Sequence, residues 1–230
     1  MTSSLIFTTI LIVIIFTITL VIAMYSTYGE RKIAAFLQDR VGPNRAGPFG
    51  FLQPLADGVK MFMKEEIIPN HSNRWLFILG PCIAMSTALM TSAVIPWGKS
   101  LSIGGESYSL QVTDVNIGIL YIFGVVSIGV YGIMIGGWAS NNKYALLGAM
   151  RAAAQAVSFE VPLLLSAMVP IVLAGSFSVS DIVQAQSGYA WFALWPPGPG
   201  AVAFVLFFLT SLAEANRIPF DIPEAESELV

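Results

Sequence analysis

The charges of this 230-residue chain are distributed very unevenly near its N-terminus. Residues 1–29 contain no charged side chain, and residues 29–66 then carry six of the chain's eleven Lys and Arg residues. A helix needs about 20 apolar residues to cross the hydrocarbon core of a bilayer, and residues 5–28 satisfy this length. No basic residue precedes the apolar run and no small-residue cleavage site follows it, which argues against a signal peptide. The pattern predicts a membrane span that leads into a polar loop.

The composition of the whole chain also indicates a membrane protein. Hydrophobic residues make up 56% of the sequence and charged residues 11%, with a mean hydropathy of +0.75. Cys82 is the single cysteine, which excludes a disulfide framework and a cysteine-ligated iron–sulfur cluster. His71 is the single histidine, which argues against a bis-histidine haem or a zinc site. The chain is therefore expected to hold no metal and no redox group of its own.

Four further apolar runs follow the first one. We predict an all-α polytopic membrane protein in which residues 1–230 form a single membrane domain of about five transmembrane helices, with amphipathic cytoplasmic helices in addition. The predicted spans are 5–28, 75–97, 115–138, 151–174 and 200–214. The third span contains Gly132 and Gly136 in a G-x-x-x-G spacing, which favours close helix packing.

The stretch 29–66 combines charges of both signs with apolar residues. Residues 30–40 have the periodicity of a short amphipathic helix, and residues 51–64 have that of a second one. At 14 residues the second helix is too short to cross a bilayer, so we expect it at the membrane surface or against protein. Between them, residues 41–50 (VGPNRAGPFG) contain three glycines and two prolines and predict a shaped loop.

Lys and Arg residues are concentrated on one side of the predicted spans. Seven follow the first span, Lys143 and Arg151 follow the third, and Arg217 follows the fifth, whereas Lys99 alone lies on the other side. Cytoplasmic loops of membrane proteins carry an excess of Lys and Arg. The count predicts that loops 29–74, 139–150 and 215–230 are cytoplasmic and that the N-terminus is outside.

Acidic residues occur inside or beside two of the predicted spans. Glu160 lies nine residues after Arg151, or about 13 Å along a regular helix, and Pro162 frees the carbonyl of Ser158 nearby. An intramembrane carboxylate is costly unless it faces protein or water, so Glu160 is either a proton carrier or a hydrogen-bonded packing residue. Glu214 poses the same choice at a shallower depth. The acidic run that follows it is either a solvated loop or a proton-collecting mouth.

Three long motifs resemble one family of proteins. They are ERKIAAFLQDRVGPNRAGPFGFLQPLADGVKMFMKE (30–65), GWASNNKYALLGAMRAAAQAVSFEVPL (137–163) and LAEANRIPFDIPEAESELV (212–230). In sequence and order they are similar to the membrane component of complex I that is called the H subunit in bacteria and chain 1 in mitochondria. The resemblance covers nearly the whole chain. The family continues for about three more transmembrane helices, so the resemblance implies that this sequence is truncated at its C-terminal end, at Val230.

The resemblance implies a quinone chamber formed between this chain and the peripheral arm, and a proton path that leads from it. The residues that match chamber positions are Arg31, Arg40, Asp57, Arg151 and Phe220. Those that match the acids of the proton path are Glu160, Glu214, Glu224 and Glu226. A quinone has a polar ring and a long apolar tail, so an amphipathic loop packed on helices would suit it.

The resemblance also implies cofactors, partners and a location. Quinone would be the substrate, while FMN and iron–sulfur clusters would be held by partner subunits, and the chain would not be active alone. The partners would be the quinone-pocket and iron–sulfur subunits of the peripheral arm, the antiporter-like membrane subunits and the lipid bilayer, without nucleic acid. The location would be the bacterial inner (plasma) membrane, or the corresponding organellar inner membrane.

Two other functions are compatible with parts of the sequence. A related subunit of membrane-bound hydrogenases would lack quinone or use another electron acceptor, but the stretch LQPLADGVKMFMKEE (52–66) favours the complex I subunit. An independent transporter that uses Glu160 for proton coupling would be expected to contain inverted repeats. The sequence contains none that we can identify, which argues against a transporter.

Overall fold

The computed structural model describes residues 2–103, 106–188, 191–194, 198–217 and 219–221. The chain divides into two compact units, Met1–Ile67 and Ile68–Val230, which are described separately. The assignment of residues 1–230 to a single membrane domain stays a prediction.

The first unit is built on one long helix, α1 (Thr2–Leu37). It includes most of the segment predicted as a separate amphipathic helix at 30–40, because no proline interrupts the backbone there. The helix ends where Asp39 adopts a left-handed conformation. The backbone N–H groups of Asp39 and Arg40 then donate to the carbonyls of Phe36 and Ala35, an arrangement that satisfies carbonyls at a helix C-terminus.

A shaped loop joins α1 to the second helix, α2 (Gln53–Met63), and confirms the prediction for residues 41–50. The loop contains a 3₁₀ turn at Pro48–Gly50. Gly50 has a φ of +80°, and a Cβ there would collide with the carbonyl of Pro43, so only glycine fits. The Tyr28 hydroxyl donates to the Phe49 carbonyl at 2.8 Å, and the rings of Tyr25 and Phe51 lie 4.8 Å apart. These contacts hold the loop against α1.

The second unit is a helical bundle with a small β element. Its helices are α3 (Arg74–Thr91), α4 (Gly118–Ala139), α5 (Lys143–Ala174), α6 (Val179–Ala185) and α7 (Pro199–Glu214). Helix α3 packs on α4, α4 on α5, and α5 on α7. Strands β1 (Ser100–Ile103) and β2 (Glu106–Ser109) pair antiparallel in the connection between α3 and α4, with Ser100 opposite Ser109. This β element was not predicted from the sequence.

An α-helix overlaps each of the five predicted spans in the same order, but the helix ends differ from the predicted bounds at several places. Within the described residues, four helices are long and apolar enough to cross a membrane, namely α1, α3, α4 and α5. Helix α7 is apolar but has only 16 residues. Helix α5 begins at Lys143, so most of the predicted loop 139–150 is helical, because residues 145–153 are rich in alanine and leucine. The all-α polytopic class is confirmed.

The faces of α5 differ in the way expected of a membrane helix. Small residues on one face are buried, among them Ala149, Ala152 and Ala153, while Leu165 and Val172 on another face are exposed. Apolar residues gain little from packing on each other in place of lipid, so helix contacts in membranes favour small residues and hydrogen bonds. The buried face of α5 also carries a polar residue, the glutamine at position 155.

Helices α3 and α4 approach closely at three glycines. A Cβ on Gly80 would lie 2.9 Å from the Gly132 carbonyl oxygen and 3.0 Å from the Gly136 Cα atom. A Cβ on Gly132 would lie 2.8 Å from the Gly80 carbonyl oxygen. The structure therefore confirms that the G-x-x-x-G spacing of α4 lies at a tight helix contact.

Candidate functional site

The first unit contains an ion pair between two residues predicted for the chamber. Nη1 of Arg31, on α1, lies 2.7 Å from Oδ2 of Asp57, on α2. The other carboxylate oxygen of Asp57 accepts a hydrogen bond of 3.1 Å from the Gln53 side chain. Both carboxylate oxygens are thus engaged, and the pair joins the two helices of the unit.

Two other bases of this unit, Lys32 and Arg40, make contacts close to the loop that joins α1 to α2. Lys32 donates to the Val41 carbonyl at 3.2 Å, with its Nζ atom 5.9 Å from the centre of the Tyr28 ring. The exposed Arg40 donates to the Gln38 side chain. The structure thus brings Arg31 and Asp57 into direct contact, whereas Arg40 contacts a side chain only two residues away.

The ion pair should respond to acid but not to changes near neutral pH. Hydrogen bonds from Arg31 and then Gln53 hold the pKa of Asp57 below its ordinary value of 3.8. Because the pKa is lowered in the folded state, the stabilisation is complete above about pH 4 and is lost as the pH falls through the folded-state value. We expect the protection of the α2 amides, measured as the exchange rate relative to the intrinsic rate at each pH, to fall below about pH 4 in the wild type. Asp57→Asn should remove most of this response, and Asp39→Asn, just after α1, should keep it. A wild-type acid response in Asp57→Asn would contradict the assignment.

The second unit places Glu160 near the middle of α5, half-buried and in contact with α4. The Ser127 hydroxyl, near the middle of α4, contacts the Glu160 carboxyl group. The same hydroxyl lies 2.8 Å from the Phe123 carbonyl oxygen. A hydroxyl has one hydrogen to donate and can also accept, so it can donate to ionised Glu160 or accept from the protonated form. Sequence reasoning missed Ser127, although a hydroxyl inside a glycine-rich apolar span is a signal that could have found it.

Glu214 forms the last residue of α7 and is half-buried. It lies within electrostatic reach of Glu160 across the contact between α5 and α7. The two carboxyl groups are therefore brought together by tertiary structure, although 54 positions separate them in the sequence.

Phe220 folds back from the end of α7 onto α5. Its ring lies 5.0 Å from that of Phe159, with the planes inclined at 65°. Its carbonyl oxygen accepts a hydrogen bond of 2.8 Å from the Gln155 side chain. Phe220 therefore lies beside the stretch of α5 that carries Glu160. Sequence reasoning did not select Gln155, because a lone glutamine in an alanine-rich helix gives no sign of its partners.

Three predicted residues remain, and the structure describes one of them, Arg151. Arg151 is exposed on α5, nine residues before Glu160. Glu224 and Glu226 lie outside the described residues. Asp221 lies at the end of the described chain. One of its carboxylate oxygens is buried and has no hydrogen-bond partner among the described residues. Across the described ranges, no group of three or more His, Cys, Asp and Glu residues could hold a metal ion.

Comparison with known proteins supports the resemblance carried by the three motifs. A family model described as NADH dehydrogenase matches residues 9–230. The chain is similar to NADH-quinone oxidoreductase H subunit 1 of Cytophaga hutchinsonii, with 60% identity over 222 residues that cover 96% of this chain and 64% of the relative. It is also similar to the H subunit of the same enzyme from Flavobacterium johnsoniae, with 58% identity over 221 residues, 96% of this chain and 62% of the relative.

A third relative is H subunit 1 of the enzyme from Geobacter metallireducens, with 50% identity over 219 residues, 95% of this chain and 65% of the relative. The chain thus spans slightly less than two thirds of the length of these relatives. The family model, in contrast, covers nearly all of this chain. On this match, the chain belongs to the NADH dehydrogenase family, and its relatives are H subunits of NADH-quinone oxidoreductase.

Proposed function

We propose that this chain is a non-redox membrane subunit of a proton-translocating NADH:quinone oxidoreductase. In this function it lines a chamber for the quinone headgroup, together with the peripheral arm, and couples quinone reduction to proton transfer. The observation that carries the proposal is the contact of Glu160 with Ser127 in the middle of the bundle, within electrostatic reach of Glu214. Ionisable groups at membrane depth are costly and mark functional paths in membrane proteins. The names of the relatives supply the class of enzyme.

The proposed chamber uses Arg31, Arg40, Asp57, Arg151 and Phe220. A quinone ring that is being reduced gains negative charge and protons, so cations and hydrogen-bond donors near it favour the reaction. The Arg31–Asp57 pair offers such a donor with a fixed geometry. Phe220 and Phe159 offer an aromatic surface. An apolar tail would remain between helices and lipid.

The proposed proton path uses Glu160 and Glu214, with Glu224 and Glu226 beyond the described residues. The Ser127 hydroxyl can adapt to either protonation state of Glu160, since its hydrogen can move between Glu160 and the Phe123 carbonyl. A carboxyl group that keeps a hydrogen-bond partner in both states can gain and lose a proton with little rearrangement. The adaptable Ser127 hydroxyl supports a proton-carrying role for Glu160.

Electrons would be delivered by partner subunits. The sequence has one cysteine and one histidine, too few for an iron–sulfur cluster or a bis-histidine haem. The resemblance to complex I implies that FMN and iron–sulfur clusters would belong to the peripheral arm and that quinone would enter from the bilayer. Other subunits of the complex, including antiporter-like membrane subunits, would be partners of this chain in a bacterial inner membrane or its organellar counterpart.

Replacing Arg151 by Ala should test the chamber. Arg151 is exposed on α5 and would tune the quinone headgroup electrostatically, so we expect Arg151→Ala to raise the apparent KM for quinone several-fold with a smaller change in kcat. Lys99→Ala is a matched control, because Lys99 is an exposed cation on the predicted opposite side. The assay is quinone-dependent NADH oxidation by complexes purified through this chain. A wild-type KM in Arg151→Ala, or purification without iron–sulfur subunits, would contradict the proposal.

The proposed orientation can be tested by labelling single cysteines. The asymmetric Lys and Arg count predicts that Lys64 and Lys143 lie in the cytoplasm and that Lys99 lies on the other side. With Cys82 replaced by Ser, cysteines at positions 64 and 143 should react with an impermeant reagent only from the cytoplasmic face. A cysteine at position 99 should react only from the opposite face. Labelling of positions 64 and 99 from the same face would exclude the predicted topology.

A further inference from the structure

One buried side chain connects α5 to the end of α7 and to the residues that follow it. Gln155 is 7% exposed, and its Nε2 atom has three acceptors within hydrogen-bond distance. They are the Ala213 carbonyl at 2.9 Å, the Asn216 side-chain oxygen at 3.2 Å and the Phe220 carbonyl at 2.8 Å. An amide nitrogen has two hydrogens, so the three acceptors must share them.

The three acceptors belong to one tight turn. Asn216 adopts the left-handed conformation, with φ of +48°. Its N–H donates to the Ala213 carbonyl and that of Arg217 donates to the Leu212 carbonyl, an arrangement similar to a Schellman helix end. The Phe220 N–H then donates to the Arg217 carbonyl at 2.7 Å. The turn thus returns the chain toward α5, where Gln155 contacts it at three points.

The oxygen atom of the Gln155 amide fixes how the amide is oriented. Its Oε1 atom is buried and has no hydrogen-bond donor among the described residues. Reversing the amide would place this oxygen against three acceptors, so the orientation follows from the surroundings. Among the described residues, the hydrogen bonds of this amide are therefore all made by Nε2.

The turn carries residues from both parts of the proposed site. Glu214, of the proposed proton path, lies in the turn directly after Ala213, and Phe220, of the proposed chamber, accepts a hydrogen bond from the Gln155 amide. Gln155 lies on α5 together with Phe159 and Glu160. The ring of Phe159 contacts that of Phe220, and Glu160 lies within electrostatic reach of Glu214. Any shift of the turn relative to α5 would therefore change the chamber and the carboxyl pair at once.

We infer that Gln155 is a positioning residue that holds the turn after α7 against α5 and so sets Phe220 and Glu214 relative to Glu160. This inference rests on the proposed function and extends it. It names the contact through which the positions of Phe220, in the chamber, and Glu214, in the proton path, depend on each other. Gln155 itself need not touch quinone or carry a proton.

The test compares Gln155→Leu with Asn216→Gly in the assembled membrane complex. Gln155→Leu keeps the bulk of the side chain but removes all three hydrogen bonds. We expect amide exchange of residues 213–221 to rise about tenfold, the apparent quinone KM to rise by a similar factor and the number of protons pumped per quinol to fall. A purely structural residue would lower the yield of complex and leave the KM and the pumping ratio of the surviving complexes unchanged.

Asn216→Gly is the matched control. Glycine accepts the left-handed conformation, and loss of the Asn216 oxygen leaves two acceptors for the two amide hydrogens. We expect its quinone KM and pumping ratio to stay within about twofold of wild type. The inference is wrong if Gln155→Leu exchanges like wild type, or if its exchange rises while KM and pumping stay unchanged. Arg151→Ala and Glu160→Gln are measured in parallel. If the proposed function is wrong, these two variants should instead behave like the wild type.

Discussion

Glu160→Gln is expected to reduce quinone-dependent turnover and proton pumping together, by about tenfold or more, in a complex that still assembles. Glutamine has the shape of glutamic acid and can still bond to the Ser127 hydroxyl, but it cannot take up or release a proton. If Glu160 carries protons, the variant therefore loses activity because it cannot take up and release a proton, and not because its packing has changed. Because Glu160 lies in the bundle and not among the chamber residues, the quinone KM should change by less than about twofold.

The measurement is quinone-dependent NADH oxidation with a dye that reports the proton gradient, on complexes first checked for full assembly. Glu160→Asp keeps the carboxyl group with a shorter reach and should retain part of the activity. Ser127→Ala keeps the carboxyl group but removes its hydroxyl partner, so we expect an intermediate loss. Wild-type pumping in Glu160→Gln would identify Glu160 as a hydrogen-bonded packing residue.

Gly132→Ala is expected to destabilise the contact between α3 and α4 by about 1–3 kcal/mol, which is the usual cost of overpacking. The added Cβ would lie 2.8 Å from the Gly80 carbonyl oxygen and 3.1 Å from the Ala84 nitrogen. Both are backbone atoms, so no side chain can turn away and the helices must separate. Helix contacts in membranes rely on such close approach, and we expect reduced assembly of the complex.

Gly136→Ala is the matched control, because it lies four residues further along the same motif. A Cβ on Gly136 meets nothing within 4 Å in the described structure, so this variant should assemble normally. Thermal stability and yield of the purified complex provide the comparison. Equal stability of the two variants would contradict the packing argument.

Local chemistry makes several features of this protein predictable from its sequence. Long apolar runs predict membrane spans, because a backbone in lipid must satisfy its own hydrogen bonds. The glycines and prolines at 41–50 predict a shaped loop, and Gly50 indeed occupies a position that a side chain cannot enter. Helix ends are less predictable. Helix α1 continues to Leu37 and α5 begins at Lys143, because neither sequence contains a residue that must stop a helix there.

The sequence by itself determined the class of this protein, since apolar length, charge asymmetry and the spacing of Gly132 and Gly136 act within one helix or along one stretch of chain. Only the tertiary structure decided which polar groups meet. Ser127 and Glu160 are 33 residues apart, and Gln155 meets Asn216 and Phe220 after separations of 61 and 65. Such contacts depend on the rotation of each helix about its axis and on its depth relative to its neighbours. Those are set by the packing of whole faces, which no single motif encodes.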